Sequence, residues 1–216
     1  MSIKVKDPVS GYSHLAGAVL SVIGLCFLIR YAVVNGTVWH IVSFSIFGAS
    51  LILLYTASTI YHLLVISERG SIILRKIDHM MIYVLIAGTY TPMCLIPLRG
   101  SWGWSILISI WGIAMVGIIL KLLWFNAPRW LSTIFYLIMG WLIVIAFMPL
   151  VRTMPVAAMI WLVAGGLMYT IGAIIYGTKW PRLKSKVFGF HEIFHMFVLY
   201  GSFCHFWLMF RYVLYL

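Results

Sequence analysis

Seven stretches of mostly apolar residues follow one another along the chain, each about as long as a helix needs to cross the hydrocarbon core of a bilayer. Short breaks such as Glu68-Arg69-Gly70 separate them and carry turn or charge signals. Within lipid, backbone polar groups must be hydrogen-bonded inside the segment, so such stretches fold as α-helices. The predicted spans are Tyr12–Val34, Trp39–Ile66, Asp78–Pro97, Trp102–Trp124, Trp130–Leu150, Pro155–Gly177 and Phe188–Tyr215.

Composition agrees with this pattern, because 64% of the 216 residues are hydrophobic and only 9% are charged. Soluble domains carry roughly 25% charged residues. A soluble protein of this length could not bury so much apolar surface in one core. The sequence therefore predicts an all-α polytopic membrane protein, with residues 1–216 forming a single seven-transmembrane helix bundle.

The basic residues predict an orientation rather than a nucleic-acid partner. The net charge is +11, but the bases are scattered through short loops and no nucleic-acid-binding motif occurs. Most of the 15 lysines and arginines fall in the N-terminal segment and in the second, fourth and sixth loops. The positive-inside rule then places the chain in the cell membrane with a cytoplasmic N-terminus and an extracytoplasmic C-terminus. Membrane lipids are the expected partners.

Ionisable side chains inside the spans cluster at one predicted depth. His62 lies near the end of the second span, and His191 and His195 lie near the start of the seventh. Both places fall at the cytoplasmic side of the bilayer in the predicted orientation. His191 and His195 are four residues apart and therefore share one helix face. Three histidines with an open fourth position are typical of a catalytic zinc site, so zinc is the predicted cofactor.

Two further polar residues are expected beside this metal. Ser58 precedes His62 by one helical turn and lies on the same face. Asp78 begins the third span at the same depth, where its carboxylate can act as a base or can orient the attacking water. Ser58 and Asp78 are therefore the predicted catalytic residues.

Other interpretations stay open from the residues alone. His191-Glu192-Ile-Phe-His195 also matches the H-E-x-x-H pattern of zinc proteases, in which Glu192 would be the base and Asp78 a ligand. Otherwise Glu192 is a carboxylate at a helix start, favoured by the helix dipole. His14 and His79 serve either structural hydrogen bonds or support of the site. A non-enzymatic receptor-like or cytolytic membrane protein with a structural zinc fits equally well.

Several motifs together resemble the hemolysin III branch of the progestin and adipoQ receptor superfamily, over nearly the whole chain. They are Ser58-Thr-Ile-Tyr-His62, Lys76-Ile-Asp78-His79 leading into Ile86-Ala-Gly-Thr-Tyr-Thr-Pro92, and His191-Glu-Ile-Phe-His195 followed by Gly201-Ser-Phe-Cys-His205-Phe.

The resemblance implies a seven-helix fold in which His62, His191 and His195 bind zinc, with Ser58 and Asp78 beside it. It also implies hydrolysis of lipid amides, as in the related adiponectin receptors and alkaline ceramidases. The hemolysin name implies a possible cytolytic role. One position departs from the family pattern: an asparagine often precedes the first-span histidine by four residues, and here that residue is Ser10.

Overall fold

Every regular element is helical in the computed structural model, which describes residues 5–124, 128–183 and 188–216. The short 3-10 turns Leu142–Ala146 and Val213–Tyr215 interrupt or end helices. The α-helices are α1 (Pro8–Asn35), α2 (Val38–Leu63), α3 (Glu68–Leu95), α4 (Ser101–Leu123), α5 (Arg129–Trp141), α6 (Phe147–Thr153), α7 (Val156–Thr178) and α8 (Phe190–Arg211).

Six segments in the described part of the chain are long and apolar enough to cross a membrane. The fourth of them joins α5, the first 3-10 turn and α6 into one crossing, as the predicted span Trp130–Leu150 requires. An all-helical membrane protein with several spans is thus confirmed. The six segments are Pro8–Asn35, Val38–Leu63, Ser101–Leu123, Trp130–Thr153, Val156–Thr178 and Phe190–Tyr215.

The third predicted span differs, because α3 is not among these six segments. The predicted break at Glu68-Arg69-Gly70 is wrong: these residues form the first turn of α3, and the Ser67 hydroxyl caps it by accepting from the Gly70 amide at 3.3 Å. α3 therefore carries charged residues in its first half and hydroxyl groups in its second. A seventh crossing by α3 stays a prediction.

Burial explains why α3 tolerates this composition. Nearly every residue from Leu85 to Leu95 is buried among neighbouring helices, so its side chains meet protein rather than lipid. α3 packs between α2 and α4, and at Gly88 the close approach to Ser50 of α2 leaves no room for a side chain. α1 packs against both α2 and α8, and α7 packs against α5 and α8.

Candidate metal centre and adjoining cavities

The three predicted metal ligands meet at one end of the bundle. His62 lies next to the last residue of α2, and His191 and His195 lie on the first turns of α8. One ring nitrogen from each residue can be chosen so that all lie within 4.8 Å of one another. The Nε2 atoms of His62 and His191 are 3.3 Å apart. Sequence position had predicted this meeting, and the structure brings the three rings together.

The spacing of the nitrogens fits a zinc ion. Zinc–nitrogen bonds of about 2.0–2.1 Å in a tetrahedral site place two ligand nitrogens roughly 3.3–3.4 Å apart, and the His62–His191 separation is 3.3 Å. A hydrogen bond between two neutral rings would explain that single pair. It would not explain a third imidazole directed at the same point, since His195 is buried with its ring centroid 5.0 Å from that of His62. The residues present therefore fit a shared cation.

Asp7 contacts His62 on the side of the ring that faces away from His191. Its Oδ2 lies 3.1 Å from Nδ1 of His62, and its backbone amide donates to the His62 carbonyl at 2.9 Å. A carboxylate behind a ligating histidine fixes the tautomer and ring orientation. The sequence reasoning placed Asp7 outside the spans and gave it no role. The available signal was an acid just before the first span, at the predicted depth of His62.

His14 also belongs to the cluster. Its ring stacks on that of His195, with centroids 3.7 Å apart and planes 16° from parallel, and it meets Tyr55 edge-on. His14 is buried, and neither of its ring nitrogens has a hydrogen-bond partner among the described residues. This stacking limits rotation of the His195 ring. His14 thus helps to hold one of the predicted metal ligands in place.

Ser58 and Asp78, the predicted catalytic pair, lie beside each other. Both are buried, at 1% and 8% exposure, and the Ser58 side chain lies close to the Asp78 carboxyl. Both line a cavity that His191 and His195 also line. The structure therefore brings the catalytic candidates and two of the predicted metal ligands to one cavity.

That cavity has the form of a long apolar pocket of about 400 Å³. Aliphatic and aromatic side chains of α3, α5, α7 and α8 form most of its wall. Its lining residues on α7 run from Met159 to Tyr176, which corresponds to about 25 Å of helix rise. An acyl chain is the kind of ligand that fits such a space.

Glu192 acts as a helix-start carboxylate, as one of the two interpretations held. Its Oε2 accepts a hydrogen bond from the Gly189 amide at 2.8 Å, and its Oε1 accepts one from the Ser10 hydroxyl at 2.8 Å. Ser10, at the position where the sequence departs from the family pattern, thus ties α1 to α8. Glu192 is not one of the three residues whose ligand atoms converge.

The remaining histidines hold different positions. His79 lies near the cluster, where its Nε2 is 3.3 Å from the Tyr176 hydroxyl and its carbonyl accepts from Tyr136 at 3.2 Å. His205 is deeper, stacked on Tyr169 with centroids 5.4 Å apart, and lines the far part of the apolar cavity. His205 is not among the three residues whose ligand atoms converge.

A second, polar cavity of about 530 Å³ lies next to the first and is called the vestibule. The two cavities share His79, Ile82, Tyr136, Tyr176 and His191 as lining residues. The three convergent histidines, His62, His191 and His195, thus lie where the apolar cavity meets the polar vestibule. They are called the metal cluster below. The other vestibule residues are Asp7, Tyr61, His62, Arg75, Lys121, Ser132, Phe190 and Glu192.

Comparison with known proteins gives one family and several relatives. The family described as "Haemolysin-III related" matches residues 3–206. "Hemolysin-3 homolog" of Bacillus subtilis is 43% identical over 88% of this chain and 86% of its own length. "Hemolysin-3" of Bacillus cereus is 40% identical over 97% of this chain and 93% of its own length. "Monocyte to macrophage differentiation factor" of Homo sapiens is 26% identical, over 94% and 82% of the two chains.

Proposed function

This chain belongs to the haemolysin-III family, and from that premise we propose that it is a zinc-dependent membrane hydrolase of lipid amides. One observation carries the proposal: three histidines converge, and two of them line an apolar cavity that Asp78 and Ser58 also line. A lipid whose chain fills the cavity would present the bond nearest its polar end to these residues.

The side chains divide the chemistry between them. A zinc ion held by His62, His191 and His195 would polarise the amide carbonyl. It would also lower the pKa of the attacking water, so that the nucleophilic hydroxide is available near neutral pH. Asp78 takes the proton from the attacking water and returns it to the leaving nitrogen. Ser58, whose side chain lies close to the Asp78 carboxyl, would orient that carboxylate, and a turn of its hydroxyl toward the substrate would let it hold the developing oxyanion.

Metal analysis and lipid profiling test the proposal together. The purified protein should contain about one zinc per chain, as one three-histidine site requires. His191→Ala should lose that zinc because it removes a ligand. His40→Gln is the matched control, since His40 caps the opposite end of α2 through the Thr37 amide at 3.0 Å and should leave the zinc in place.

Turnover is read from the lipids of membranes that contain the wild type or Asp78→Asn. Only the wild type should deplete an N-acyl lipid and release its fatty acid, because the variant keeps the ligands and loses the base. Zinc bound without any lipid change that depends on Asp78 would defeat the hydrolase assignment and leave a structural metal.

A cytolytic role is the second candidate, and the names of the two Bacillus relatives favour it. In that case the zinc holds α2 and α8 together and no substrate is cleaved. Loss of His62, His191 and His195 together separates the two readings. Lysis of target cells that survives this triple change would favour a membrane-disrupting protein over an enzyme.

An intramembrane zinc protease is the third reading, and the geometry favours it less. Both carboxylate oxygens of Glu192 are already occupied by Ser10 and Gly189, whereas a base must be free to take a proton. Glu192→Gln should leave lipid hydrolysis largely intact. Complete loss of activity in that variant would instead support Glu192 as the base.

A further inference from the structure

The vestibule contains a buried cation that its surroundings do not neutralise. Lys121, near the end of α4, is only 6% exposed and lines the vestibule. A lysine near a helix end commonly extends its ammonium group to the surface, but such a side chain would be far more exposed. Within the described ranges, no carboxylate lies within ion-pairing distance of Lys121.

Other positive charges lie near Lys121. Arg75 of α3 lines the same vestibule and is close enough for its charge to act on Lys121. Lys6 adds a third positive charge at the rim, with its Nζ 3.7 Å from the ring centroid of Tyr61, another vestibule residue. Buried charges are normally paired, and like charges at close range repel. Arg75 is exposed, so the unfavourable feature is the burial of Lys121 beside a like charge, which an anion in the vestibule would offset.

The carboxylates of the vestibule are committed elsewhere. Asp7 is bound to His62, and Glu192 accepts hydrogen bonds from Ser10 and Gly189. Both stand on the side formed by α1, α2 and α8, whereas Arg75 and Lys121 come from α3 and α4. The vestibule is thus polarised, with its carboxylates on one side and Arg75 and Lys121 on the other.

Hydroxyl groups complete this side. Ser132 and Tyr136 of α5 and Tyr176 of α7 line the same space. The Tyr136 hydroxyl donates to the His79 carbonyl, and the Tyr176 hydroxyl lies 3.3 Å from Nε2 of His79. The groups suited to phosphate oxygens are therefore the guanidinium, which forms paired hydrogen bonds, and the ammonium, which acts as a point charge. The neighbouring apolar cavity supplies a place for the chain of the same molecule.

We infer that the vestibule binds the phosphate-bearing headgroup of an anionic acyl lipid, one whose phosphate charge is not cancelled by a cationic group, through Arg75 and Lys121, while the chain of that lipid occupies the apolar cavity. Because the two cavities share His79, Tyr136, Tyr176 and His191, the linkage between head and chain lies beside the metal ligands. The lipid is a substrate only if the proposed hydrolase function holds; otherwise it is a bound ligand.

Binding of non-cleavable lipids tests this assignment without turnover. Native mass spectrometry compares ether-linked phosphatidylglycerol, which is anionic, with ether-linked phosphatidylcholine of the same chain length, which has no net charge. The wild type should prefer the anionic lipid by about tenfold or more, as expected for charge-assisted hydrogen bonds. Lys121→Met, which keeps the apolar stem and removes the charge, should reduce the preference to near parity.

Controls separate this site from general attraction of anionic lipid to basic loops. Arg69→Gln removes a positive charge from an exposed position on the first turn of α3, outside the vestibule lining, and should keep the full preference. Arg75→Gln is a second test variant in case Lys121→Met fails to fold, and it should lose the preference. Inorganic phosphate is added in a parallel titration.

Equal binding of the two lipids by the wild type would overturn the assignment, as would an unchanged preference in both Lys121→Met and Arg75→Gln. Displacement of the lipid headgroup by millimolar inorganic phosphate, with no preference between lipids, would assign the vestibule to a soluble anion and also overturn it. A preference that depends on Lys121 in a protein that cleaves no lipid would refute the hydrolase function alone.

Discussion

At the scale of single residues, the contact between Asp7 and His62 would determine how firmly the proposed zinc ion is held. The Asp7 carboxylate lies 3.1 Å from Nδ1 of His62, so the Nε2 atom is left to face His191. We expect Asp7→Asn to weaken zinc binding about 10- to 100-fold, the usual effect of removing such a partner from a ligating histidine. Competition with a chelator of known affinity measures this change.

Glu68→Gln is the matched control for Asp7→Asn. Glu68 is exposed at the start of α3 and undergoes the same change from acid to amide. It is expected to bind zinc as the wild type does. If Asp7→Asn retained wild-type affinity as well, Asp7 would have only the backbone role that its amide has toward the His62 carbonyl.

The depth of a residue in the bilayer could be predicted from the sequence. Which side chains of two different helices face each other could not. The i, i+4 spacing placed His191 and His195 on one face, and the span order placed His62 at their level. The contact of Ser10 with Glu192 and the stacking of His14 on His195 depend on how α1 is rotated against α8. No spacing within one helix encodes that rotation.

At the scale of helices, the break in the fifth span is the main irregularity. Between α5 and α6 the chain changes to a 3-10 turn over Leu142–Ala146, which frees backbone groups from their usual α-helical bonds. Tyr90 of α3 supplies the missing partners. Its hydroxyl lies 2.7 Å from the Met139 carbonyl and 2.9 Å from the Gly140 carbonyl, and it accepts from the Ile143 amide at 2.9 Å.

Tyr90→Phe should therefore destabilise the protein. It removes the hydroxyl that pairs with the Ile143 amide and the Gly140 carbonyl, both partly buried, at a cost of about 1–3 kcal/mol. Thermal unfolding in detergent micelles should show a lower midpoint for this variant. Tyr200→Phe makes the same change at a residue that is 66% exposed on the bundle surface, and its midpoint should match the wild type. Equal midpoints for both variants would show that the Tyr90 hydroxyl does not stabilise the break.

Helix positions were predicted better than helix ends. Six of the predicted spans correspond to segments able to cross a membrane, because an apolar run of sufficient length has few alternatives to a spanning helix. The start of α3 was misplaced, since Glu68, Arg69 and Gly70 carry the composition of a loop while Ser67 caps the helix that contains them. The 3-10 turn contains no proline, and its stabilising group comes from α3, far away in sequence.

At the scale of the whole molecule, the metal cluster, the vestibule and the first residues of α1, α3 and α8 all belong to one end of the bundle. The distribution of lysine and arginine predicts that this end faces the cytoplasm. The zinc would then come from the cytoplasm, and the lipid would come from the inner leaflet, whose anionic headgroups the basic vestibule would meet.

Labelling of single cysteines in intact cells tests this orientation. In a background with Cys26, Cys94 and Cys204 replaced by alanine, a membrane-impermeant thiol reagent should label Asn35→Cys, at the end of α1 opposite the metal cluster. It should label Val65→Cys, in the exposed link between α2 and α3, only after the membrane is permeabilised. The reverse pattern would place the metal cluster outside the cell, so that neither cytoplasmic zinc nor an inner-leaflet lipid could reach it from the vestibule.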